Sequence, residues 1–176
     1  MTHTHQHTPV DDFSDCHAGI VSTLKKMNHL PELVAAAKVA RDTAQEVFRM
    51  FEDIVINHHY EEEHDLFPAV LASSQPGSER THVSSMVGQL TQEHREVEAA
   101  WARLKSQVKA AAKGADAHFA DQDIQALVTR YLAHANFEEQ QFLPLSQEIL
   151  GRNSNHLAAL GVSLHMRHAK IPASYI

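Results

Sequence analysis

HHYEEEHDLFP at residues 58–68 and HANFEEQQFLP at residues 134–144 are one pattern written twice. A shift of 76 residues lays His58 on His134, Glu62 on Glu138 and Pro68 on Pro144, with Leu66/Phe142 and Phe67/Leu143 as apolar pairs. Further back, Phe51 and Val55 meet Leu127 and Tyr131 under the same shift. Steps of four, three, four and four along both segments are the periodicity of one helix face, not of a strand. His17 and His94 obey nearly the same offset, 77 residues, so the chain reads as two copies of a helical hairpin.

Turn residues mark the ends of these helices: Asn28 to Pro31, SSQPGSERT at 73–81, Gly114 to Asp116 and Gly151 to Asn155. The expected helices run from Asp12 to about Met27, from Pro31 or Leu33 to Leu71, from Thr81 to Lys113 and from about Ala117 to Leu150. A shorter one follows over about 154–169. The expected fold is all-α: an antiparallel up-down four-helix bundle with a short additional C-terminal helix. In domain terms, 1–10 is a flexible His-rich tail, 11–150 the bundle, and 151–176 the C-terminal helix and tail.

Composition narrows the chemistry. Of 176 residues, 43% are apolar, enough for one core. The net charge of -7, with 15 Lys plus Arg against 22 Asp plus Glu, offers no footprint for nucleic acid or an anionic membrane. No apolar run reaches the roughly 18 residues of a membrane span and no signal core opens the chain, so a cytoplasmic protein is expected. Cys16, the lone cysteine, can form no internal disulfide and is expected to be a small buried helix residue. Histidine is the unusual component: there are 15, and imidazole is the side chain best suited to transition metals near neutral pH.

Residues four apart on a helix sit one turn apart on one face, so His58 with Glu62, and His134 with Glu138, each form a two-donor unit. The seams Phe13, His17, Ile20, Leu24 and Val87, Leu90, His94, Val97, Trp101 aim His17 and His94 at the same axis. Six donors are therefore expected to converge: His17, His58, Glu62, His94, His134 and Glu138. Two buried carboxylates without partners would cost several kcal/mol each, against a total stability of about 5–15 kcal/mol. No Lys or Arg occupies the equivalent seam positions, which leaves a metal cation as the compensating charge. Four imidazoles and two carboxylates suit iron, and less specifically zinc, manganese or copper.

In the opening stretch only His58 has a histidine counterpart in the later helix. His59, His64, Glu61 and Glu63 are accordingly expected to face outward or to support the donors by hydrogen bonds. The pairs His165/His168 and the tail histidines His3, His5 and His7 are expected to offer weak surface binding only.

The order H, HxxxE, H, HxxxE, carried by His17, His58-His59-Tyr60-Glu61-Glu62, His94 and His134-Ala135-Asn136-Phe137-Glu138, resembles the hemerythrin-like, HHE cation-binding family. "EEHDLFP" and "EEQQFLP" add to the likeness, which covers about residues 12–150. The resemblance implies a four-helix bundle around a non-haem di-iron centre, with bridging carboxylates and an open coordination position for oxygen-derived ligands. It implies that His17, His58 and Glu62 mainly serve one iron and His94, His134 and Glu138 the other, with zinc or manganese as substitutes.

Oxygen-carrying members have a second histidine one turn after the third-helix ligand and end in HxxxxD. This chain has Glu98 and HxxxE at those places. Fewer imidazoles and more carboxylate favour the oxidised metal pair, so the expectation is a protein that binds, senses or reacts with dioxygen, peroxide or nitric oxide, peroxidase-like or oxidase turnover being left open. Iron storage or delivery, and a structural metal module that binds a partner, are the alternatives. Val97 fits the seam better than Glu98, which turns Glu98 to the flank. Tyr131 is read as core packing, with a phenol ligand as the alternative.

Overall fold

The computed structural model describes residues 9–152, with side chains from Cys16 onward. Among these residues the backbone is helical and without strands. Helix α1 spans Pro9–Lys26 and α2 spans Leu30–Arg49. Beyond α2 the same rod continues as a π segment Met50–Val55, α3 Ile56–Glu61, a second π segment Glu62–Leu66 and α4 Phe67–Ser73. The second rod is α5, Ser78–Ala112. The third is α6 Asp121–Phe137, a π segment Glu138–Phe142 and α7 Leu143–Gly151.

Among the described residues three long rods, rather than four, make the body. The reversal expected at Asn28 to Pro31 does not occur: a single 3₁₀ turn, Met27–His29, joins α1 to α2 with right-handed helical angles at Lys26, His29 and Leu30. Pro31 does not break the path, because it lies in the first turn of α2, where a missing N–H leaves no bond unmade. Every side chain from Cys16 to Thr43 is exposed. The lone cysteine is therefore on the surface, not buried as expected. The C-terminal helix expected near 154–169, with His165 and His168, lies outside the described residues, as do His3, His5 and His7.

The other two turns follow the sequence. Gly77 adopts φ 105 at the start of α5, a region closed to residues with a Cβ. Arg80 donates to the Ser74 carbonyl at 2.7 Å and Glu79 accepts from the Gln75 amide at 2.7 Å, which closes that turn. Gly114, at φ 72, ends α5 with its amide on the Ala111 carbonyl at 2.9 Å, the usual glycine stop of a helix.

Each of the two later π segments is followed by a proline, Pro68 or Pro144, in the first turn of the next helix. Proline cannot donate to the carbonyl four residues back and its ring crowds that carbonyl, so the turn upstream widens. The repeated "LFP" and "FLP" endings thus place one wide turn at Glu62 and another at Glu138.

The apolar core is in two parts. Phe51, Val55, Trp101, Leu104 and Leu127 pack towards one end. Phe67, Val70, Leu90, Phe142 and Ile149 pack towards the other. The Phe67 and Phe142 rings meet edge to face at 5.1 Å. Phe142 is wholly buried, so Phe142→Ala is expected to cost about 3–5 kcal/mol, seen as a lower urea midpoint with an unchanged slope. No helix among the described residues is long and apolar enough to cross a membrane.

Candidate metal centre

Between the two apolar clusters lies a layer of polar side chains cut off from water. His59, Glu62, His94, His134 and Glu138 are all buried, none more than 5% exposed. His59 and Glu62 come from the first rod, His94 from the middle of α5, and His134 and Glu138 from the third rod. One donor atom each from Glu62, His94, His134 and Glu138 lies within 4.8 Å of the others, and the same holds for His59, His94 and His134.

The three imidazoles share one hydrogen-bonding plan. His94 donates from Nδ1 to Glu63 Oε1 at 2.8 Å, His59 to Glu98 Oε1 at 3.1 Å, and His134 to Glu93 Oε2 at 3.2 Å. A carboxylate accepts, so each ring carries its proton on Nδ1 and presents a bare lone pair at Nε2. All three Nε2 atoms are buried without a hydrogen-bond partner. His94 Nε2 lies 3.3 Å from Glu62 Oε2, yet neither atom has a bond of good geometry. Glu138 Oε1 is also buried and unpartnered. Buried polar atoms are ordinarily satisfied, and several unsatisfied lone pairs facing one another repel. A cation among them removes the conflict, and a carboxylate on the remote nitrogen is how metal-bound histidines are usually oriented.

Electrostatics agree with that reading. Burial, the largest cause, pushes the Glu62 carboxyl up to about 7, with the charge of Glu63 adding and a hydrogen bond with Glu138 opposing. Burial and then the charge of Glu62 push Glu138 up to about 8. His59 goes down to about 2, first through burial and then through the neighbouring imidazoles. Its ring is stacked on that of His94 with centroids 3.9 Å apart, so both rings cannot comfortably be cations. The layer favours a neutral His59 and resists charge on Glu62 and Glu138 unless positive charge is supplied.

Arg95 braces the outer ring of carboxylates. It donates to Glu98 at 2.6 Å and to both oxygens of Glu63, holding the partners of His59 and His94 together. Arg95→Ala is expected to weaken metal binding 10- to 100-fold with little loss of fold, measured by competition with a chelator of known affinity.

The structure brings four of the six expected donors together: Glu62, His94, His134 and Glu138. His58 lies beside them with Nε2 3.3 Å from Glu62 Oε1, but its side chain is 39% exposed. His17 is exposed on α1. His59, expected to face outward or to lend support, is instead buried with Nε2 towards the cluster. The physical reason is the π segment Met50–Val55, which has no counterpart in α6. A wide turn takes in about one extra residue, so an offset of 75 rather than 76 pairs the buried His59 with His134 and the buried Phe67 with Phe142. That π segment has no proline after it, and no signal in the sequence distinguishes it from regular helix.

Glu61 is buried rather than outward. Glu63 supports His94 as one of the expected alternatives, and His64 is exposed, donating from Nδ1 to the Tyr60 carbonyl at 2.8 Å. Glu98 does turn from the cluster centre, to His59. Tyr131 is half-buried with its ring 6.1 Å from that of His134. Burial, then the charges of Glu138 and Glu62, raise its phenol further above the usual range.

Comparison with curated proteins and with solved structures found no match. The model of the hemerythrin HHE cation-binding domain matches residues 8–146. That span takes in the first two rods, the third rod as far as residue 146 and every member of the buried layer, and the chain belongs to the hemerythrin HHE cation-binding domain family.

Proposed function

We propose that this chain is a non-haem iron protein holding a pair of iron ions, and that it binds, senses or reacts with a small oxidant such as dioxygen, peroxide or nitric oxide. One observation carries the reading: three buried imidazoles, each tethered through Nδ1 to a carboxylate, turn unpartnered Nε2 atoms towards two buried glutamates. His59, His94 and His134 would bind through Nε2 and Glu62 and Glu138 through carboxylate oxygen, with His58 and His17 as further donors. When bound, the irons supply electrons and an open coordination position for the small ligand.

The protein's own part is to orient and to exclude water. Glu63, Glu93 and Glu98 fix the ring tautomers, Arg95 fixes two of those carboxylates, and the apolar clusters on either side keep bulk solvent from the layer. In the absence of a cation, burial favours the protonated forms of Glu62 and Glu138. Uptake of metal therefore releases protons, which makes affinity rise with pH.

A second reading, a single cation on Glu62, His94, His134 and Glu138, is favoured by the meeting of those four donors around one point. Metal analysis of anaerobically purified protein separates the two. Near two irons per chain, with visible absorbance that changes on oxidation and is lost in His134→Ala, supports the pair. One ion per chain overturns it in favour of the single site. Metal that stabilises the fold but leaves no oxidation-dependent spectrum selects a structural module.

A further inference from the structure

The arm formed by α1 and the first turns of α2 has an apolar stripe with nothing against it. Ile20, Leu24, Met27 and Val34 are each about half exposed or more, and they share a face with His17 at steps of three, four, three and seven. Beside the cluster, the body has an apolar cleft of about 540 Å3, lined among others by Val47, Phe51, Leu127 and Tyr131. Ile124, Val128 and Leu132, four residues apart on α6, line the cleft and are also exposed. A helix stripe without a partner and an open apolar cleft occur in one chain.

The arm cannot fill its own cleft so as to bring His17 to the cluster. The body ends near Arg41, where Gln45 donates to the Ala112 carbonyl at 3.0 Å and the Arg41 side chain lies against Gly114. Folding back at the 3₁₀ turn Met27–His29 would set His17 level with about Val39. That is some 19 residues, roughly 28 Å at 1.5 Å per residue, short of His58. To bring His17 level with His58 the reversal must fall midway, between Ala37 and Lys38. That stretch, VAAAKVAR at 34–41, is regular α-helix, rich in the best helix former and without Gly, Pro, Asn or Asp, and Lys38 pairs with Asp42 one turn on.

We propose that α1 completes the bundle of a second copy of this chain, reciprocally, in a two-fold helix-exchanged dimer. With the two-fold axis passing between Ala37 and Lys38, the two long helices run antiparallel and each residue stands level with one of the other copy. His17 then meets the level of His58, Ile20 that of Val55, Leu24 that of Phe51 and Met27 that of Phe48. The lengths agree: Pro9 to Ala40 extends roughly 48 Å and Arg41 to Ser73 roughly 50 Å. The alanines at 35, 36, 37 and 40 are small where the helices must cross. An isologous exchange of one helix needs no new contact type, only the bundle packing already present within a chain. The role of His17 rests on the metal reading above; the exchange of helices does not.

Light scattering on the metal-free full chain reads the assembly directly. Twice the chain mass of 19.6 kDa is expected, with Leu24→Asp reduced to a monomer that keeps its helical spectrum. A monomeric wild type overturns the proposal whatever metal it holds. The second experiment co-refolds His17→Ala chains with His134→Ala chains. In the mixed dimer one cluster has its own His134 and the other copy's His17, so iron content is expected to exceed that of either variant alone. A wild type that binds iron, with a mixture that recovers none, overturns delivery of His17 across the dimer. A wild type that is dimeric and never takes up iron overturns the metal reading and the role of His17 with it.

Discussion

The double variant Glu62→Gln, Glu138→Gln will be more stable than the wild type when both are metal-free at pH 8, and will have lost its metal. Both carboxyls are almost fully buried and sit in a layer whose other members carry unpartnered lone pairs. Burial raises them to about 7 and about 8, so at pH 8 the native state must hold carboxylate charge that it disfavours. A neutral amide of the same shape removes that charge and adds N–H groups that can face the bare Nε2 atoms. The same change deletes the anionic donors that offset a divalent or trivalent cation. Loss of affinity is expected to exceed the 10- to 100-fold that follows from removing an outer hydrogen-bond partner. Thermal unfolding in chelator and iron titration of the same sample read the two effects together. A variant less stable than the wild type in chelator at pH 8 contradicts the electrostatic account, and retained tight iron binding contradicts the placement of the donors.

Metal-free wild type will lose stability between pH 6.5 and pH 8.5, on the order of 2–3 kcal/mol. Raised carboxyls bind protons in the native state at a pH where the unfolded chain, titrating near 4.5, has released them. The stabilising contribution is therefore complete below about pH 4.5 and lost as pH rises through 7 and 8. His59 acts in the opposite sense: depressed to about 2, it contributes stability above 6.5 that is lost as pH falls. The two trends oppose each other between 4.5 and 6.5, so the carboxylates are unopposed only above that window. With iron bound the slope changes sign, because the cation competes with protons for the same atoms and is held more tightly as they leave. Urea unfolding at pH 6.5, 7.5 and 8.5, with chelator and with saturating iron, tests both signs. Parallel slopes in the two conditions would remove the cluster as the cause.

How far the fold was legible differs from element to element. Helical periodicity and the turn at Gly77 placed the second and third rods to within a few residues. The 76-residue repeat, with the apolar seam around His94, located the polar layer, since four of its members, Glu62, His94, His134 and Glu138, were read from spacing. His59 was not, because a π segment inserts a residue into the count and periodicity arguments assume 3.6 residues per turn throughout. The outer carboxylates were equally hidden. Glu63, Glu93 and Glu98 look like any charged helix surface until the neighbouring rod brings an imidazole to each of them.

By itself, the sequence determined that the chain is helical, that it repeats, and that histidine and glutamate recur at positions where an apolar seam should be, because these follow from local spacing along one chain. Which histidine of the His58–His59 pair turns inward, which nitrogen of each ring is left bare, and whether the chain reverses after α1 were decided only by tertiary structure. These depend on helix phase after a wide turn and on contacts between residues some 30 or more apart, such as His94 with Glu63 and His134 with Glu93. Seam spacing is blind to such contacts: it gives the angle of a side chain about its own helix and nothing about what stands opposite.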